Sequence, residues 1–347
     1  MQRRESIRVA QRLFPLLSLA LFLPWTSASV RAQATPNGAV DGLTPKFIDA
    51  GGVRTRYYEM GQGEPLVLIH GGGGSSPNSA NIWSKNIRPL AEHFHVIAPD
   101  RLGCGMTGGT FADTSNYTAQ VNWLYNFLVA MHLHRVNLVG HSAGGAVVFF
   151  FALAHPEMIQ TLVIGSHGPE MSVAPGPREL NVLMKACPKQ PLLAAQKCRL
   201  SLLSYDPQRT FDSQFWAAQR YMANWRSQQA SAAHRSIPQV SPLNLPTSRS
   251  FARFRDQAWT RARQGALGDM PVLMIYGKQD PLDWQAGQPA AQLTGGLSFF
   301  GIVGAKDPNL QMVILNDAGH FAFRDQPAEF DADLTSFIDY WDHRASR

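Results

Sequence analysis

The sequence predicts an α/β fold in which helices flank a mostly parallel sheet and a helical insertion interrupts the strand pattern. Six short apolar runs recur between stretches of helical spacing, and each run is continuous rather than alternating. Continuous runs are typical of strands buried on both faces, as in a parallel sheet covered by helices. The six runs are 66–69, 96–98, 136–139, 162–164, 272–275 and 312–315.

A hairpin is predicted ahead of these runs, between Phe47 and Met60. Two alternating stretches surround the segment Ala50-Gly51-Gly52-Val53, whose glycines suit a tight turn. We expect this antiparallel pair to form an edge of the sheet.

The strand pattern stops between about Pro169 and Gly268, where glutamine, alanine, arginine and aromatic residues are frequent. Strand signals are weak in this segment and helical spacing is fair. We therefore assign residues 169–268 to a helical cap, called the insertion below. It divides an α/β core made of residues 35–168 and 269–347.

The first 34 residues have the layout of a secretory signal peptide. Four arginines precede an apolar run from Leu13 to Trp25, and Ala32-Gln33-Ala34 offers a cleavage site. The alternative is a membrane anchor, but a bilayer requires about 20 apolar residues. We predict cleavage at the end of residues 1–34 and a periplasmic or secreted protein.

Charge and composition exclude some classes of partner. The 347 residues are 45% hydrophobic and carry a net charge of +6. Loss of residues 1–34 removes five arginines and one glutamate, which leaves +2. This small charge argues against a nucleic-acid partner. We expect a small-molecule substrate and no stable membrane anchor after cleavage, and the sequence leaves the oligomeric state open.

The three cysteines have no spacing suited to zinc. In an oxidising compartment Cys187 and Cys198 are close enough in sequence to pair, which leaves Cys104 alone. The alternative is three reduced, buried thiols.

A serine motif follows the third apolar run. Residues 140–144 read Gly-His-Ser-Ala-Gly and precede a helix-like run from Ala146 to Ala154. A serine at such a strand-to-helix turn is exposed at the carboxyl edge of the sheet. The glycines avoid collisions between Cβ atoms and neighbouring backbone, and the amino end of the helix favours an oxyanion. We predict that Ser142 is the nucleophile.

A serine nucleophile needs a histidine base and a carboxylate that fixes the tautomer of this base. With this motif the acid precedes the histidine along the chain. Asp280 follows the next-to-last apolar run and His320 follows the last, both at the carboxyl edge. We predict Asp280 as the acid and His320 as the base, with Asp283 as a rival acid.

Two backbone amides are predicted to bind the oxyanion. One belongs to Ala143, directly after the nucleophile. The other is assigned to Gly72 in the glycine run after His70, with Gly73 as the alternative, because glycine lets an amide approach a substrate oxygen closely.

From about Phe47 to Tyr340 the chain resembles the α/β-hydrolase superfamily. The motifs that carry this resemblance are His70-Gly71, Asp100-Arg101-Leu102-Gly103, Gly140-x-Ser142-x-Gly144, Gly277-x-x-Asp280 and Ala318-Gly319-His320. The glycine run 71–74 and residues 297–302 and 316–327 are similar to the meta-cleavage-product C–C hydrolases and related monoester hydrolases. The resemblance implies an acyl-enzyme mechanism without metal or organic cofactor, and a loop-bracing role for Arg101.

Two positions depart from the C–C hydrolases, which usually carry Asn before the nucleophile and Trp after the catalytic histidine. This chain has His141 and Phe321 there, and an expected loop asparagine could be Asn78 or Asn81. These departures remove groups expected to bind a dienol carboxylate. The sequence therefore favours hydrolysis of a small or medium carboxylic ester.

Three alternatives remain open: cleavage of carbon–carbon bonds in diketone or meta-cleavage-type substrates, cofactor-free perhydrolysis, and a receptor-like protein that binds a ligand. We expect the pocket between the sheet edge and the insertion. An arginine of the insertion, such as Arg220, Arg226 or Arg253, could anchor a carboxylate there.

Overall fold

The computed structural model describes residues 38–72, 77–110, 113, 116–166, 178–229, 251–281 and 291–345, all within the compact unit Ala32–Arg347. The strands are β1 (Lys46–Asp49), β2 (Arg54–Met60), β3 (Pro65–Ile69), β4 (His95–Pro99), β5 (Val136–His141), β6 (Ile159–Gly165), β7 (Val272–Gly277) and β8 (Leu310–Leu315). The helices are α1 (Ser84–Leu90), α2 (Tyr117–Ala130), α3 (Ala143–Ala154), α4 (Arg178–Ala186), α5 (Leu192–Leu203), α6 (Pro207–Thr210), α7 (Ser213–Gln229), α8 (Phe251–Arg263), α9 (Ala291–Gly304), α10 (Ala322–Asp325) and α11 (Pro327–Ala345).

The strands form one sheet in the order β1-β2-β4-β3-β5-β6-β7-β8. Strands β3 to β8 are parallel to one another, whereas β2 is antiparallel to both β1 and β4. The six predicted apolar runs lie in β3 to β8, and the predicted hairpin is β1–β2 at the edge. The predicted α/β fold class is therefore confirmed.

Two apolar cores lie on the two faces of the sheet. Alternate residues of β3 point to opposite faces, so Val67 and Ile69 join the core with α2 and α3, whereas Leu66 and Leu68 join the core with α1 and α11. All four side chains are fully buried. This burial on both faces explains why the strands are continuous apolar runs in the sequence.

Within residues 178–229 and 251–263, regular structure is entirely helical, from α4 to α8. Helix α8 buries Ala258 and Ala262 in the same core as α3. The predicted start of the insertion, at residue 169, lies outside the described residues, and so does the predicted signal segment 1–34. The division into domains therefore stays a prediction. No described helix has the length and apolarity that a membrane crossing requires.

A disulfide joins Cys187, directly after α4, to Cys198 in α5, with 5.7 Å between the Cα atoms. Cys104 is a buried thiol. The predicted pairing is therefore confirmed, and it ties together two helices of the insertion.

Removing this disulfide should destabilise the protein by about 2–4 kcal/mol, because the open chain regains conformational entropy when it unfolds. The test is chemical denaturation of the wild type and of the double variant Cys187→Ala/Cys198→Ala. Reductant should lower the stability of the wild type and leave the double variant unchanged. Equal stability of the two proteins without reductant would contradict this expectation.

Candidate active site

Ser142 lies in a strained turn between β5 and α3, with a φ of 54° and a ψ of −126°. Its amide donates to the carbonyl of Gly165 at 2.9 Å. The turn requires glycine on both sides. A Cβ at Gly140 would lie 2.5 Å from the carbonyl oxygen of Gly144, and one at Gly144 would lie 2.4 Å from that of Ile69. The sequence motif thus forms the sharp turn that presents a serine at the sheet edge.

The predicted acid and base are in direct contact. His320 Nδ1 lies 2.8 Å from Asp280 Oδ2, and both side chains are buried. Because the carboxylate can only accept, Nδ1 donates its proton and Nε2 keeps its lone pair. This is the tautomer that a general base for a serine hydroxyl requires. The rival acid, Asp283, lies outside the described residues.

Burial lowers the pKa of His320, because desolvation disfavours the imidazolium. The nearby charge of Asp325 raises this pKa, and the hydrogen-bonded carboxylate of Asp280 also favours the charged ring. The ring is neutral at pH 7 and can accept a proton.

His141 holds the backbone of His320. Its Nε2 donates to the carbonyl oxygen of His320 at 2.7 Å, and the two rings are 4.8 Å apart between centroids. Burial lowers the pKa of His141 well below its ordinary value, so this ring is neutral as well. This role of His141 could not be predicted from the sequence, because the contact joins residues 179 positions apart.

The loop after β3 approaches the nucleophile closely. A Cβ at Gly71 would lie 2.6 Å from Ser142 Cβ, and Gly72 has a φ of 78°. Two side chains brace the loop: His70 donates Nδ1–H to the Gly71 carbonyl, and Arg101 Nη2 donates to the Gly72 carbonyl. Arg101 therefore braces a loop, as the family resemblance implied.

Of the predicted oxyanion donors, Ala143 is the first residue of α3, so its amide has no acceptor within the helix. Gly72 lines the same cleft as Ser142. Gly73 lies outside the described residues. The assignment of these two amides as oxyanion donors stays a prediction.

The structure distinguishes the two candidate asparagines. Asn78 lines the cleft, and its Nδ2 would lie 1.9 Å from a Cβ at Gly72. Asn81 is fully buried elsewhere, where its Oδ1 accepts from Tyr58 at 2.7 Å and from Arg56 at 3.1 Å. Asn78 is therefore the loop asparagine that belongs to the site.

One cleft joins the core and the insertion, with about 680 Å³ of space between protein atoms, part of it open to solvent. From the core it is lined by His70, Gly71, Gly72, Asn78, Ser79, Ile82, His141, Ser142, His320 and Phe321. From the insertion it is lined by Met184, Gln196, Arg199, Leu200, Leu203, Phe215 and Gln219.

Sequence reasoning missed Arg199. Of the arginines it named, Arg220 is exposed and Arg226 is buried against the Gly109 carbonyl. The side chain of Arg253 lies outside the described residues. The missed signal was helical spacing, because the residues of α5 that line the cleft recur at i, i+3, i+4 and i+7. They are Gln196, Arg199, Leu200 and Leu203.

Known proteins similar to this chain include hydrolases named for a dienoic acid and for a muconate semialdehyde. The 2-hydroxy-6-oxo-6-(2'-aminophenyl)hexa-2,4-dienoic acid hydrolase of Metapseudomonas resinovorans is 40% identical over 140 residues, 40% of this chain. The match spans about half of that relative, 48% of its length. The 2-hydroxymuconate semialdehyde hydrolase of Pseudomonas sp. strain CF600 is 32% identical over 68% of this chain and 77% of its own length.

A solved structure has the same fold. The 2-hydroxy-6-oxo-6-phenylhexa-2,4-dienoate hydrolase from Rhodococcus sp. strain RHA1 superposes with a TM-score of 0.60 at 20% identity, covering 87% of this chain and 100% of that one. The family model described as the alpha/beta hydrolase fold matches residues 64–327. With this match and the sheet described above, the chain belongs to the α/β-hydrolase fold family.

Proposed function

We propose that the protein is a serine hydrolase that cleaves a carbon–carbon bond in a 2-hydroxy-6-oxo-dienoate type of substrate. The ester reaction favoured by the sequence is wrong, because the relatives reported above are hydrolases of such dienoates and of a muconate semialdehyde. They favour the carbon–carbon alternative instead.

One observation carries the proposal for this chain: the cleft that contains Ser142 is also lined by Arg199. Among its described lining residues, Arg199 alone has a permanent charge. The ester prediction depended on the departures at His141 and Phe321. Both residues line the cleft, and the His141 ring holds the His320 backbone at 2.7 Å. An anionic substrate can therefore be anchored from the insertion, without an asparagine at position 141.

In the first half-reaction, the enol proton of the substrate moves to carbon 5, so that carbon 2 becomes a ketone and the ketone already present at carbon 6 is no longer conjugated to the double bonds of the chain. Ser142 attacks the ketone at carbon 6 while His320 accepts the hydroxyl proton and Asp280 stabilises the imidazolium. The amides of Ala143 and Gly72 bind the oxyanion.

Collapse of this intermediate breaks the bond between carbons 5 and 6. The electron pair is delocalised into the conjugated 2-oxo group as an enolate, because an isolated carbanion is a poor leaving group. The enolate takes the proton from His320 and departs as a hydroxydienoate. Water, deprotonated by His320, then hydrolyses the acyl ester of Ser142 to a carboxylic acid.

We also propose that the protein works outside the cytoplasm. The disulfide between Cys187 and Cys198 supports this proposal, since such bonds persist in oxidising compartments. Mass spectrometry of the protein from its natural host should find a mature amino terminus near residue 35. Full-length protein in the cytoplasm would contradict the proposal.

The purified mature protein should turn over 2-hydroxy-6-oxo-6-phenylhexa-2,4-dienoate with a kcat/KM at least ten times that for p-nitrophenyl butyrate. The anionic dienoate can use Arg199, whereas the neutral ester cannot. Loss of the dienone absorbance and mass spectrometry of the two acid products measure the reaction. A kcat/KM ten times higher for the ester would reject the proposed function.

Ser142→Ala should lower dienoate turnover by about 10⁴–10⁶-fold, because the whole triad depends on its nucleophile. The melting temperature and the affinity for the dienoate should change little. Ser166→Ala is the matched control, since Ser166 also has a positive φ, 46°, and directly follows β6 at the same sheet edge. If Ser142→Ala kept a tenth of the activity, Ser142 would not be the nucleophile.

Arg199→Gln should lower kcat/KM for the dienoate by about 10–100-fold, which corresponds to the loss of a charged hydrogen bond. The same variant should differ little from wild type on the methyl ester of the dienoate, which has no anion to anchor. Arg220→Gln is the matched control, because Arg220 is an exposed arginine of the insertion outside the cleft. Equal losses on the acid and its methyl ester would exclude an anchoring role.

A further inference from the structure

The loop that carries His320 packs tightly against the segment that follows α5. A Cβ at Gly319 would lie 2.7 Å from the amide nitrogen of Tyr205 and 3.0 Å from the carbonyl oxygen of Leu203. The amide of His320 donates to that same carbonyl at 3.1 Å. The backbone of the base is therefore in direct contact with the end of an insertion helix.

This contact connects the lining of the cleft to the loop that carries His320, because α5 also lines the cleft. Arg199 and Leu203 belong to the same helix, and both line the cleft that contains Ser142. A shift of α5 would move the carbonyl of Leu203, and with it the acceptor for the His320 amide.

Asp325 forms hydrogen bonds to both the loop that carries His320 and the insertion. It is 2% exposed, and its Oδ2 accepts from the Gly319 amide at 2.8 Å while its Oδ1 accepts from the Thr210 hydroxyl. Its main-chain carbonyl accepts from Arg209 at 2.9 Å, and Arg324 Nε donates to the Thr210 carbonyl at 3.0 Å. One buried carboxylate thus connects the residue before the base to helix α6 of the insertion.

We propose that Asp325 is a positioning residue for His320, which fixes the base loop against the insertion segment from Leu203 to Thr210. The inference rests on the hydrolase function proposed above only in naming His320 as the base. It implies that interactions between substrate and α5 are expressed in kcat as well as in KM, since they help to hold the base in its reactive position.

Two variants separate the effect of the hydrogen bonds of Asp325 from the effect of its negative charge. Asp325→Ala removes the interaction with the Tyr205 backbone as well as the hydrogen bonds from Gly319 and Thr210. Asp325→Asn can keep them, because its amide oxygen can accept from Gly319 and its NH₂ can donate to the hydroxyl oxygen of Thr210. Both variants remove a negative charge that raises the pKa of His320.

The measurement is the second-order rate of phosphonylation of Ser142 by a biotinylated fluorophosphonate probe as a function of pH. This reaction requires the base but no natural substrate. Asp325→Ala should slow it by about tenfold or more, as expected for a displaced catalytic group. Asp325→Asn should recover most of the rate. In both variants, the fall in rate at acid pH should move to lower pH, because the loss of the Asp325 charge lowers the pKa of His320. Asp280 and His141 still contact the His320 ring in both variants.

The control is Asp331→Ala, which removes another buried carboxylate, one that accepts from Asn86 at 2.8 Å. It should lower the melting temperature without changing the phosphonylation rate or its pH profile. If Asp325→Ala does not fold, Thr210→Val removes the bond between Asp325 and the insertion, together with the local bond from the Thr210 hydroxyl to the Asp206 carbonyl. It should lower kcat for the dienoate with little change in KM.

Wild-type phosphonylation rates in Asp325→Ala, or a rate in Asp325→Asn as low as in Asp325→Ala, would overturn the positioning role. For Thr210→Val, an unchanged kcat would do the same. A failure of dienoate turnover in the wild type would instead reject the proposed substrate and leave the phosphonylation test in force.

Discussion

The site depends on backbone segments that approach one another more closely than any side chain would allow. A Cβ at Gly71, Gly144 or Gly319 would lie within 2.7 Å of another segment of the chain. These contacts bring the loop after β3, the turn at Ser142 and the loop that carries His320 to one edge of the sheet. Because glycine is required at each of them, the relative positions of the three segments are set by the backbone.

Buried polar side chains then fix the loops that glycine alone would leave free. Asp100 accepts from the amides of Ala80 and Met106 at 2.7 and 2.9 Å, and it pairs with the buried Arg56. His141 fixes the loop that carries His320, because its Nε2 donates to the His320 carbonyl at 2.7 Å. Buried polar groups are costly without partners, so each of these bonds strongly favours one loop conformation.

Much of the fold could be predicted because its signals are local. Strands buried on both faces are continuous apolar runs, and a serine turn between glycines is recognisable within five residues. The positions of Asp280 and His320 follow from strand order, since the carboxyl ends of parallel strands lie on one edge. This placement and the family order of the motifs were enough to predict the contact between Asp280 and His320, which the structure shows at 2.8 Å.

The substrate-binding side could not be predicted in this way, because it depends on contacts between distant segments. The sequence alone does not tell which face of α5 meets the cleft, and so Arg199 was missed. Nor does the residue type at position 141 reveal what its ring contacts. Reading His141 as a lost substrate contact led to the wrong reaction, whereas the structure shows a bond to the backbone of His320.

In the proposed reaction, the ketone carbon of a dienoate becomes an acyl ester of Ser142 when the carbon–carbon bond breaks. The most direct measurement is a single turnover of 2-hydroxy-6-oxo-6-phenylhexa-2,4-dienoate with enzyme in excess, quenched rapidly with acid and mapped by peptide mass spectrometry. We expect a benzoyl group on the peptide containing Ser142, formed together with free hydroxydienoate. Release of benzoate and hydroxydienoate at the same rate, with no acylated Ser142 at any time point, would contradict it.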